Sequence, residues 1–114
     1  MSDSCLFCRI AAGDIPAEIV YSTDSVVAFR DLNPQAPTHV LVIPREHHAN
    51  IGELGASDPT LAGDLIAAAA VVAEREGLGE GWRLVFNTGP AAGQTVFHVH
   101  GHVLGGRSLT WPPG

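Results

Sequence analysis

The chain has 114 residues, 46% of them hydrophobic, and a formal net charge of −6. That length suits one domain with a real core, residues 1–114, and excludes two; the apolar content excludes a disordered chain. The negative balance argues against binding DNA or RNA through the phosphate backbone, but it leaves room for a small anionic ligand held by local donors.

Met1-Ser2-Asp3-Ser4 has no basic segment leading into an apolar core, so the start does not read as a secretory signal. The longest apolar run, Leu65 to Ala73, is far too short for a bilayer. The expectation is a cytoplasmic protein with no membrane contact. Cys5 and Cys8 form a Cys-x-x-Cys pair. In a reducing compartment that spacing points to metal binding or redox chemistry ahead of a structural disulfide. A redox pair is expected after a strand and at a helix start within a βαβ unit, whereas this one lies at the chain terminus. As a metal site it is half a set, which histidines must complete.

Leu6, Phe7 and Ile10 share one face of a short N-terminal helix, ended by Gly13 and the Asp14-Ile15-Pro16 break. Ile19 to Tyr21 and Ser25 to Phe29 read as strands around a Thr23-Asp24 turn. After the proline-flanked loop Asn33 to Pro37 comes a β-rich run, Thr38 to Ile43, halted by Pro44. Its alternation puts His39, Leu41 and Ile43 on one face and Val40 and Val42 on the other. Asp58-Pro59 is a helix start, with Asp as cap and Pro in the first turn. The helix is predicted to run to Glu76 and stop at Gly77, with Leu61, Leu65, Ala68, Ala69 and Val72 as its core stripe. Gly63, Ala67 and Ala70 make the other side small rather than charged, which suits close approach by another surface.

Trp82 to Phe86 is the next strand, and Asn87 to Thr95 a Gly-rich loop fit to aim backbone N–H groups at a phosphate. Strands around one long helix give an α+β domain with a mainly antiparallel, five-stranded sheet and a short N-terminal helix. The loop leads into His98-Val99-His100-Gly101-His102. In an extended strand three alternate imidazoles project from one face, poor as core and good as chemistry. A neutral imidazole can attack phosphorus, and its neighbours can stabilise phosphate oxygens. The sequence has no carboxylate cluster for magnesium and no Gly-x-x-x-x-Gly-Lys-Ser/Thr loop, which argues against metal-dependent NTPase chemistry.

His98-Val99-His100-Gly101-His102-Val103-Leu104 resembles the motif of the histidine triad (HIT) family, His-φ-His-φ-His-φ-φ with φ apolar. Phe7-Cys8-Arg9-Ile10, Gly13-Asp14-Ile15-Pro16, Asp31 to Pro44 and Gly93 to Phe97 are similar to other segments of that family. Leu104-Gly105-Gly106-Arg107 and Trp111-Pro112-Pro113-Gly114 resemble its nucleotide-binding branch in particular. Gly101 departs from the pattern, standing where an apolar side chain is expected and leaving the strand's opposite face short of a core group.

The resemblance implies a HIT-like fold and a homodimeric purine nucleoside phosphoramidate hydrolase acting on AMP or GMP conjugates, with a covalent nucleotidyl-histidine intermediate and no cofactor needed for catalysis. It implies His100 as nucleophile and His102 and His39 as flanking catalytic histidines, His100 and His102 also touching the nucleotide. By the same resemblance, Asn87, Gly93, Gln94 and Thr95 lie on the phosphate side, Asp31 at the ribose, and Leu6, Phe7, Ile10, Phe29 and Leu32 around the base. In members with Cys-x-x-Cys, the match implies a structural zinc on Cys5, Cys8, His47 and His98. The triad also supports dinucleoside polyphosphate hydrolysis, and a nucleotide-binding interaction protein with incidental hydrolysis is the reading from a different class.

Overall fold

A computed structural model describes residues 4–114; the reading of Met1-Ser2-Asp3 as no secretory signal lies outside the described residues. The elements are α1 (Leu6–Ala11), β1 (Ile19–Ser22), β2 (Val26–Arg30), β3 (Thr38–Pro44), α2 (Ile51–Ser57), α3 (Pro59–Arg75), β4 (Trp82–Phe86) and β5 (Gly101–Gly105), with a 3-10 turn at Pro90–Ala92. The strands form one antiparallel sheet in the order β1-β2-β3-β5-β4. β3 lies at its centre and is buried along its whole length.

The alternation along β3 divides the core as its sequence predicts. Val40 and Val42 face α3, in a cluster with Leu54, Leu61, Leu65, Ala68, Ala69, Val72 and Val103. Leu41 and Ile43 face the other way, against Phe7 and Ile10 of α1 and Val27 and Phe29 of β2. The hairpin turn is fixed by Thr23, whose Oγ1 accepts from the Ser25 and Val26 N–H groups. Asp58 caps α3 by accepting from the Leu61 N–H, with Pro59 in the first turn. Beyond the helix Gly77 takes φ +75°, the left-handed conformation that stops it. No helix among the described residues is long and apolar enough to cross a membrane.

Two features differ from the sequence reading. Helix α2 is additional. Asn50 caps it, its Oδ1 accepting from the Glu53 N–H while its Nδ2 donates to the Glu53 carboxylate. The strand carrying the histidines starts later than expected, at Gly101. Pro44, at the end of β3, has no N–H to donate, and the stretch before Gly101 bonds elsewhere: the Val99 N–H donates to the His48 carbonyl at 2.7 Å. The alternation survives, with Val99 packed in the α3 cluster and the rings of His98 and His100 against Phe7.

The space at Gly101 is filled. A Cβ there would lie 2.8 Å from the Phe86 ring and 2.9 Å from Leu84. Phe86 is the cross-strand partner of Gly101 in β4. The apolar group that the strand lacks is supplied by its neighbour, a ring covering a glycine across an antiparallel pair.

Candidate active site and metal centre

β3 and β5 lie side by side, and this brings His39 against His102. His39 Nε2 and His102 Nδ1 are 2.9 Å apart. The direction of that hydrogen bond follows from the next group along. The Gln35 N–H donates to His39 Nδ1 at 3.0 Å, so His39 Nδ1 bears the lone pair and Nε2 bears the proton. His39 therefore donates to His102 Nδ1, and His102 in turn holds its proton on Nε2. That atom is buried and has no hydrogen-bond partner. A buried N–H without an acceptor costs free energy, which a ligand oxygen would recover. Burial, together with the neighbouring His100 and His39, pushes His102 down to about 4 against the opposing pull of Asp31. Burial likewise lowers His39, opposed by Asp31. Burial thus favours the neutral form of both rings, in which each is a directional donor and acceptor.

His100 lies next to this pair, its ring centroid 5.0 Å from that of His102 and 5.0 Å from that of Phe7. Its Nδ1 donates to the His98 carbonyl oxygen at 2.9 Å. The proton is thereby fixed on Nδ1, and the lone pair stands on Nε2. A buried imidazole with Nε2 as the free nucleophilic atom, beside an N–H seeking an acceptor, is equipped to attack an electrophile bearing oxygens.

The first histidine of the run does something else. His98 is fully buried, and its Nε2 donates to the Pro44 carbonyl oxygen at 2.8 Å, leaving a lone pair on Nδ1. That nitrogen lies 3.4 Å from Cys5 Sγ, 3.4 Å from Cys8 Sγ and 3.2 Å from His47 Nδ1, and Cys8 Sγ is 3.3 Å from His47 Nδ1. A zinc tetrahedron with Zn–S of about 2.3 Å and Zn–N of about 2.0 Å sets neighbouring donor atoms roughly 3.3–3.8 Å apart. The four residues fit such an ion. Burial pushes His98 down to about 4, keeping its lone pair available at neutral pH. Burial, reinforced by Cys5, raises the Cys8 thiol to about 11, a penalty that a bound cation reverses by stabilising the thiolate. Asp31, His39 and His102 also bring three donor atoms within 4.8 Å of one another. Their hydrogen bonding is wrong for a metal. A metal-bound histidine donates its other N–H, whereas His39 Nδ1 accepts and its Nε2 has no lone pair to give.

Residues 12–109 match the HIT domain family. The chain belongs to the HIT family. A HIT-like protein of Synechococcus elongatus is 54% identical over 114 residues, the whole of both chains. A protein of Zea mays named a 14 kDa zinc-binding protein is 46% identical over 111 residues, covering 96% of this chain and 87% of that one. Among solved structures, a HIT family hydrolase from Legionella pneumophila superposes with a TM-score of 0.93 at 50% identity, over 97% of this chain and 100% of that one. A histidine triad nucleotide-binding protein from Candida albicans gives 0.82 at 30% identity, over 96% and 83%.

The HIT domain places the other sequence-predicted residues as follows. Phe7, Ile10 and Phe29 are buried together as one apolar wall, Phe7 and Phe29 edge to face at 5.5 Å. Leu6 and Leu32 are exposed. Asp31 lies beside His39, its Oδ2 3.5 Å from His39 Nε2 and its Oδ1 accepting from the Asn33 N–H. In the Gly-rich loop four of the backbone donors turn inward. The Ala92, Gly93 and Gln94 N–H groups donate to loop carbonyls, and the Gly89 N–H to Gln94 Oε1. Gln94 is buried, and its Nε2 donates to the Ala49 and Val96 carbonyls. Gly93 supplies the left-handed turn, φ +94°. Gly93 and Gln94 thus brace the loop, while Asn87 is half-buried and Thr95 exposed. Sequence reasoning missed the backbone groups that set the tautomers: Gln35 N–H, Pro44 oxygen and His98 oxygen. No side-chain pattern signals them.

Proposed function

We propose that this HIT domain, taken as residues 1–114, is a hydrolase of purine nucleoside phosphoramidates, cleaving the P–N bond of AMP or GMP conjugates. The observation that carries the reading is the pairing of a free His100 Nε2 with the orphaned N–H of His102. His100 Nε2 attacks phosphorus, the N–P bond to the enzyme forms, and the P–N bond to the amine breaks, the leaving nitrogen keeping the bonding pair and taking a proton from solvent water. Water then displaces the nucleoside monophosphate from His100. The His98 carbonyl supports the imidazolium produced by the attack, because it already accepts the Nδ1 proton. His102 donates to a phosphoryl oxygen as charge builds there, and His39 holds His102 in that donor state. Asp31 accepts from the ribose, Asn87 and Thr95 contact the phosphate side, and the wall of Phe7, Ile10 and Phe29 with Leu6 and Leu32 receives the base. No resident cofactor takes part in these steps. Turnover of an adenosine phosphoramidate well above that of a diadenosine polyphosphate supports this reading; the reverse order favours polyphosphate hydrolysis.

Zinc on Cys5, Cys8, His47 and His98 is structural in this reading, since four protein donors leave no open position. The two cysteines, free and gathered with two histidines, suit a reducing cytoplasmic setting. We further infer a two-fold homodimer. β4 ends the sheet with its outer edge unpaired, and Trp82 on it and Ile66 on α3 are exposed beside the small residues Gly63, Ala67 and Ala70. A second copy would cover that edge and that face. Light scattering at micromolar concentration is expected to give twice the 11.9 kDa chain mass, and a monomer would contradict the interface.

A further inference from the structure

The Gln35 N–H is the group hydrogen-bonded to His39 Nδ1 and so sets the polarity of the His39–His102 pair, with Asp31 Oδ2, 3.5 Å from His39 Nε2, favouring the same proton position. Without that donor, His39 is free to hold its proton on Nδ1. Its Nε2 would then accept from His102 Nδ1, and His102 Nε2 would become an acceptor instead of a donor. Gln35 sits in the loop between Pro34 and Pro37, ahead of β3, so regular strand pairing does not fix it. Two contacts from the far end of β5 reach it. Arg107 Nη2 donates to the Gln35 carbonyl oxygen at 3.0 Å, and Arg107 Nη1 donates to the Ser108 carbonyl at 3.0 Å. Gly106, at φ +91°, lets the backbone lie flat on Pro37: a Cβ there would be 2.9 Å from Pro37 Cβ and 3.6 Å from the Thr38 nitrogen. The strand carrying His102 thus clamps the loop that sets the tautomer of its partner.

We propose that Arg107 is a positioning residue of the active site, acting through Gln35 to keep His39 protonated on Nε2 and His102 a donor. Among the described residues its hydrogen bonds go to the Gln35 and Ser108 carbonyls and to none of the site histidines, and it has no carboxylate partner, so ordinary surface ion pairing does not explain it. The effect on turnover rests on the hydrolase reading above; the effect on the tautomer does not.

The experiment compares wild type with Arg107→Ala in the full-length protein. Arg107 is exposed, so the variant is expected to melt with wild type. Its kcat should fall about tenfold, the loss typical of one charge-assisted hydrogen bond, with KM within twofold. Added guanidinium ion at a non-denaturing concentration should restore part of the kcat. In the substrate-free protein, nitrogen-15 spectra should show His39 as the single Nε2–H form in wild type and as a mixture in Arg107→Ala. An unchanged His39 spectrum overturns the proposal, whatever happens to the rate. An unchanged kcat also overturns it, provided His100→Ala is inactive in the same assay. If wild type itself shows no turnover the hydrolase reading fails instead, and if His100→Ala turns over normally the assignment of His100 as nucleophile fails; in both cases the His39 spectrum still decides the role of Arg107.

Discussion

Replacing His100 with alanine is expected to lower turnover of an adenosine phosphoramidate by on the order of 10⁴-fold or more, the scale on which loss of a covalent nucleophile is felt. The size follows from geometry. His100 is the triad member whose free ring nitrogen is Nε2, with its other nitrogen committed to the His98 carbonyl. Neither neighbour can take over. His98 uses Nε2 for Pro44 and turns Nδ1 to the cysteines, and His102 bears a proton on Nε2. Binding should survive, because the apolar wall, Asp31 and the Gly-rich loop are untouched. AMP affinity within severalfold of wild type, with turnover gone, is the expected split. Steady-state kinetics and calorimetric titration of the same preparation measure it. Comparable turnover in the variant would remove His100 from the chemistry.

Loss of the proposed zinc centre should act in the opposite sense, on stability more than on chemistry. Cys5→Ser or Cys8→Ser is expected to cost about 3–5 kcal/mol of unfolding free energy, the range reserved for mechanisms such as loss of a bound metal. The cluster joins three parts of the chain that strand pairing leaves apart: the start of α1, the turn beyond β3, and the lead into β5. Removing one ligand frees the end of the apolar wall at Phe7 and the segment between His98 and Gly101, which has no strand partner. The sign of the pH dependence follows from Cys8. Its thiol is raised to about 11 without a cation, so metal uptake must release protons and weakens as pH falls. Urea unfolding with and without a chelator, alongside metal analysis of the dialysed protein, tests this. A metal-free protein that unfolds at the same urea concentration with or without added zinc would rule it out.

Much of the fold was legible because one face of each element is buried. β3 alternates, α3 has Asp58-Pro59 at its start and Gly77 at its end, and both periods survive tertiary packing. α2 was not, for it buries one residue, Leu54, and Gly52 and Gly55 dilute its pattern. Its legible signal was the Asn50-to-Glu53 cap spacing. The late start of β5 was invisible, because it depends on a bond from Val99 to His48, a residue beyond β3. The filling of Gly101 by Phe86 needed the β4–β5 register, which no single strand carries. In the site, the three alternate histidines announced themselves. The division of their ring lone pairs and protons did not follow from the alternation, because it is written in backbone carbonyls and N–H groups. Gln94 shows the same limit: its position in the loop was readable, its inward turn was not. Arg107 was read as part of a motif, yet its partner is a carbonyl 72 residues away.

The central claim is that His100 Nε2 takes the nucleotidyl group. Rapid-quench intact-mass analysis during turnover of an adenosine phosphoramidate tests it most directly. The account predicts a transient species heavier by one adenylyl group, mapping to the peptide containing His100, acid-labile as a phosphorus–nitrogen link should be, and absent from His100→Ala. Turnover without that species under pre-steady-state conditions, or an adduct that maps elsewhere, would contradict it.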